Sequence, residues 1–68
     1  SLKAVAAAAR FDVARQLLRG TSVPLDEIAE VLGYAELSAF VRAFRGWADC
    51  PPGQWRAAAA LAGAAERG

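Results

Sequence analysis

Glycine and proline cut the apolar periodicity of this chain into short helical pieces, and that punctuation limits it to a small helical fold. Phe40, Ala43, Phe44 and Trp47 recur at spacings of three and four, which puts them on one helical face. Phe11, Ala14, Leu17 and Leu18 form a similar stripe, and Gly20 follows in a helix-stop position. Long alternating β-branched runs are missing. The expected fold class is therefore all-α, a small domain of about four helices.

The punctuation sets the boundaries. A first helix is expected from about Leu2 to Leu18. Pro24 suits the first turn of a second helix, where its missing N–H costs little, and Asp26 and Glu27 complement the positive end of its dipole. Leu25, Ile28, Ala29 and Leu32 face inward, and Gly33 ends the helix. A tight corner leads to a third helix from about Glu36 to Trp47. The pair Pro51-Pro52 closes the next loop, and a final helix with Trp55 begins near Pro52. Residues 63 to 68, after a break at Gly63, are expected to fray.

Size and chemistry exclude several functions. With 68 residues the chain makes one domain near the lower limit of independent stability. A single cysteine, Cys50, excludes an internal disulfide, and the lack of histidine removes the usual zinc ligands. No cofactor is expected. Enzyme activity is not expected either, for want of a nucleophile with its base, a carboxylate pair in a cleft or a glycine-rich phosphate loop. No apolar stretch reaches the length of a membrane span, and no secretory signal opens the chain. Without a methionine, the chain reads as a piece of a longer cytoplasmic protein.

The net charge is +1, so any affinity for an anionic partner must come from how charge is distributed. Asp26, Glu27, Glu30 and Glu36 crowd the second helix and the corner after it. Arg42, Arg45 and Arg56 dominate beyond Leu37.

A short helix, a corner with glycine, and a helix with one aromatic and one polar face make a helix-turn-helix pattern. Phe40, Phe44 and Trp47 would anchor the second of these helices. Its other side carries Ser38, Val41, Arg42 and Arg45, with Leu37 at the leading end. Ala29 suits a close helix crossing, and Gly33 suits a turn that ordinary side chains resist.

Between Phe11 and Arg56 the match sharpens. The strings Ala14-Arg15-Gln16-Leu17-Leu18, Leu25-Asp26-Glu27-Ile28-Ala29-Glu30-Val31-Leu32-Gly33-Tyr34, Ser38-Ala39-Phe40-Val41-Arg42-Ala43-Phe44-Arg45 and Pro51-Pro52-Gly53-Gln54-Trp55-Arg56 resemble the AraC/XylS family of bacterial transcription regulators. They look like the C-terminal half of its DNA-binding domain. The resemblance implies that residues 1–20 are a linker helix and residues 21–62 the second of two helix-turn-helix units. It also implies a first unit and a sensor or dimerisation domain outside this chain.

The resemblance further implies that the third helix enters the major groove of double-stranded DNA. Leu37, Ser38, Val41 and Arg42 would then face bases, and Arg45 would face phosphates; by its charge Arg56 is also expected to touch phosphate. Leu37 and Val41 are apolar where hydrogen-bonding residues serve other readers, and suit a thymine methyl. Direct readout then rests mainly on Arg42, with Ser38 assisting or serving the helix start. Arg56 has a second reading, as a complement to the acidic helix. The resemblance also allows Asp26, Glu27 and Glu30 to contact RNA polymerase. Val5, Ala9 or Phe11 would be left exposed on the linker helix and favour self-association. The competing function is a helical protein-interaction or dimerisation module using the same outer face.

Overall fold

The computed structural model describes the backbone of residues 2–67 and the side chains of residues 6–64. Four helices follow one another: α1 (Leu2–Gly20), α2 (Leu25–Val31), α3 (Leu37–Ala48) and α4 (Pro52–Arg67). No strand occurs among the described residues, and the fold is all-α.

Phe44 is the centre of the packing. It is fully buried and meets four aromatic rings edge-on: Phe11 of α1 at 5.6 Å, Phe40 at 5.9 Å, Trp47 at 6.2 Å and Trp55 of α4 at 6.1 Å. Such pairs contribute about 0.5–1.5 kcal/mol each beyond the area they bury. Ala14, Leu18, Ile28, Ala29 and Phe40 complete the buried core. One small cluster thus gathers residues of α1, α2 and α3, with Trp55 of α4 packed against it.

Phe11 corrects one expectation. It is packed on Phe44 and on Trp47, the latter at 5.6 Å, so it belongs to the core and not to an exposed patch. Ala9 is exposed as expected, and the side chain of Val5 lies outside the described residues.

The corner between α2 and α3 is a paired C-terminal cap. Gly33 has φ +89°, the left-handed region that penalises any Cβ. Its N–H donates to the Glu30 carbonyl at 3.0 Å, and the Tyr34 N–H reaches back to Ala29 at 2.9 Å. These two bonds satisfy carbonyls that the end of α2 would otherwise leave free. Tyr34 then packs on Phe40 at 5.9 Å, while the Arg10 guanidinium of α1 lies 5.6 Å from its ring centroid.

One helix end differs from the expected chemistry. Gly20 is the last residue of α1 rather than a left-handed stop. Thr21 takes over the capping: its N–H and hydroxyl both donate to the Leu17 carbonyl, at 3.2 and 2.6 Å. At the end of α3 it is Asp49, not a glycine, that adopts the left-handed conformation, with φ 64°. Short polar side chains tolerate that region better than most. Pro24 precedes α2 in extended conformation and Leu25 is the first helical residue. Beyond Gly63 the backbone stays helical to Arg67, and Gly68 lies outside the described residues.

Candidate nucleic-acid interface

Burying Phe40 and Phe44 fixes which side of α3 looks outward. Residues four apart stack along a helix, so the outer side carries two rows, Leu37–Val41–Arg45 and Ser38–Arg42. All five side chains line one shallow open depression. Ser38, Arg42 and Arg45 are exposed, Leu37 is 40% exposed, and Val41 is half-buried. The five residues therefore share one surface, with an apolar stretch of Leu37 and Val41 beside two guanidinium groups.

The electrostatics of this surface are simple. Among the described residues the ion pair found is Arg15 with Asp12 at 3.2 Å, within α1, which leaves Arg42 and Arg45 without an acidic partner there. Arg45 also sits in the last turn of α3, where a cation is favoured by the helix dipole. At the opposite end Glu36 precedes α3 in extended conformation without a side-chain cap. The Ser38 hydroxyl instead donates to the Glu36 carboxylate at 3.3 Å. Sequence reasoning gave Glu36 no part in this surface. The available signal was a carboxylate two residues before a serine at a helix start.

Arg56 is placed differently from the expectation that it faces phosphate. Its Nε donates to the Leu18 carbonyl at 3.0 Å and its Nη2 to the Leu17 carbonyl at 3.3 Å. The side chain is half-buried against the end of α1, where the terminal carbonyls and the negative end of the dipole favour a guanidinium. No ion pair links it to the acidic residues of α2 among the described residues. Arg56 thus closes α1 and ties α4 to it. The sequence hides this role because the partners lie 38 and 39 positions away.

Asp26, Glu27 and Glu30 are exposed on α2. Asp26 and Glu30 line a depression with Glu36 and Leu37, so this acidic surface adjoins the leading end of α3. Cys50 is half-buried in the loop after α3. No cluster of potential metal ligands occurs among the described residues. No helix among them is long and apolar enough to cross a membrane.

Residues 1–58 match the helix-turn-helix domain family. The chain belongs to the AraC-type helix-turn-helix family. Over 39 residues, 57% of this chain, it is 46% identical to the HTH-type transcriptional regulator VqsM of Pseudomonas aeruginosa, of which it covers 12%. It is similar in structure to the crystal structure of the transcriptional regulator CdpR from the same organism, with a TM-score of 0.75 and 41% identity. That match covers 79% of this chain and 17% of CdpR. This AraC-type helix-turn-helix domain spans a small part of each of these relatives.

Proposed function

We propose that the chain binds double-stranded DNA sequence-specifically within a transcription regulator, with α3 lying in the major groove. The observation that carries this reading is the shared outer face of Leu37, Ser38, Val41, Arg42 and Arg45, set against the buried anchors Phe40 and Phe44. A helix with its side chains is about 10–12 Å across and the major groove is about 12 Å wide, so an outer face without aromatic rings fits. In this reading Leu37, Ser38, Val41 and Arg42 face bases, and Arg45 faces phosphate. Arg56 is left out, because its guanidinium is engaged at the end of α1. Residues 1–20 act as the linker helix and residues 21–62 as the reading unit.

Fluorescence anisotropy with labelled duplex tests the proposal. Binding should weaken steeply with salt, because neutralised phosphates release counterions. Arg42→Ala should cost about 1–3 kcal/mol, or about 5- to 150-fold in affinity. Salt-insensitive behaviour, or an Arg42→Ala variant that binds like the parent, would turn the assignment toward a protein partner on the same face.

The exposed acidic helix α2 supports a second contact, with RNA polymerase. Reversing Glu27 and Glu30 should lower activated transcription while leaving DNA binding intact, and unchanged activation would refute it. Self-association has less support, because Phe11 is packed into the core.

A further inference from the structure

Leu37 and Val41 are the apolar part of the proposed reading surface, and neither side chain can hydrogen-bond to a base edge. Leu37 is 40% exposed at the leading end of α3. Val41 follows it one turn later on the same depression, with Arg42 and Arg45 alongside. In a helix a valine side chain holds essentially one rotamer, so Val41 offers a fixed apolar surface. Ser38, the neutral hydrogen-bonding group of the surface, is turned to the Glu36 carboxylate.

Pressing Leu37 and Val41 against amino or carbonyl groups of bases would strip water from those groups without replacing its hydrogen bonds. The one apolar group on the major-groove edge of a base pair is the 5-methyl of thymine. Four residues of helix rise about 6 Å, and successive base pairs are about 3.4 Å apart. Two apolar side chains at this spacing therefore meet base pairs one or two steps apart.

We infer that Leu37 and Val41 form a thymine-methyl reader, so that this domain selects duplexes carrying two thymines one or two base-pair steps apart. The inference rests on the proposed placement of α3 in the major groove. Arg42 supplies the adjoining hydrogen-bonded contact, for which guanine O6 and N7 are the matching acceptors.

The test uses the chain as it stands. A random-sequence duplex pool made with thymidine is enriched for binding, and the enriched duplexes are then resynthesised with deoxyuridine at one thymine at a time. Uracil pairs like thymine and lacks only the methyl group. At two positions one or two steps apart the replacement should weaken binding about fourfold each, the effect of burying one carbon, about 0.8 kcal/mol. The Val41→Ala variant should still bind the enriched duplex, more weakly, and should lose the distinction between thymine and uracil at one of those positions.

Three results would overturn the inference. Equal binding of thymine and uracil duplexes by the parent would remove methyl reading while leaving DNA recognition standing. A uracil effect that persists unchanged in both Val41→Ala and Leu37→Ala would assign the methyl effect to DNA shape. No enrichment and no salt-sensitive binding to any duplex would remove the major-groove reading itself, and the methyl reader with it.

Discussion

Helices α3 and α4 are both assembled on the core around Phe44, but they are held in different ways. α3 commits Phe40 and Phe44 completely to the interior, with Trp47 half-buried beside them. α4 commits Pro52 and Trp55 at its start and then runs through alanines, with Leu61 left 73% exposed. Side-chain volume therefore locates α3, because each large ring fits against particular neighbours. α4 is held by its first two turns and by Arg56, and beyond them alanine maintains the helix through intrinsic propensity. A helix that must present an outer face in a defined orientation needs the first kind of support. A helix that only covers the core can use the second.

The strongest way to break this comparison is to remove its shared centre. Phe44→Ala should cost about 3–5 kcal/mol, as for other buried aromatic residues. A core of this size rarely supplies more than about 3–5 kcal/mol, so the variant should lose its cooperative thermal transition in circular dichroism. Leu61→Ala, also a large apolar residue cut to alanine, should change stability by less than about 0.5 kcal/mol. Equal losses at the two sites would mean that α4 is anchored along its whole length.

Arg56→Ala sharpens the comparison at the point where α4 holds α1. Hydrogen bonds from a charged group contribute about 1.5–3 kcal/mol, and half-burial places this one near the lower end. Thermal unfolding should then shift down by about 6–12 °C for a domain of this size. The folded variant should keep the salt dependence of DNA binding, whereas a loss of one phosphate contact in the salt slope would return Arg56 to the interface.

An effect of opposite sign is expected at Gly63. A Cβ added there meets nothing within 4 Å. Gly63→Ala should therefore raise stability by up to about 1 kcal/mol through helix propensity alone, measured by chemical denaturation. A loss of stability would show that the far part of α4 packs more closely than its alanine-rich sequence suggests.

The helices and the outer face of α3 were legible because both follow from local rules. Spacing of three and four along Phe40, Phe44 and Trp47 defines an inner side, and the opposite side then follows from helix geometry. Gly33 was legible because the corner between helices needs φ > 0, which the structure meets at +89°. Other features were not legible. Phe11 gave a helical stripe, but its packing on Phe44 depends on how α1 crosses α3. Asp49 carries the left-handed cap that glycine usually provides, and no strict residue rule would have singled it out. Thr21, not Gly20, bonds the end of α1.

The sequence by itself determined the number of helices, their approximate limits and the side of α3 that turns outward. These depend on periodicity and on backbone preferences that act within a few residues. Tertiary structure alone decided that Arg56 closes α1 instead of facing outward, and that Phe11 joins the core. Both contacts join residues more than thirty positions apart, and only the packed arrangement of the helices sets the distance between them.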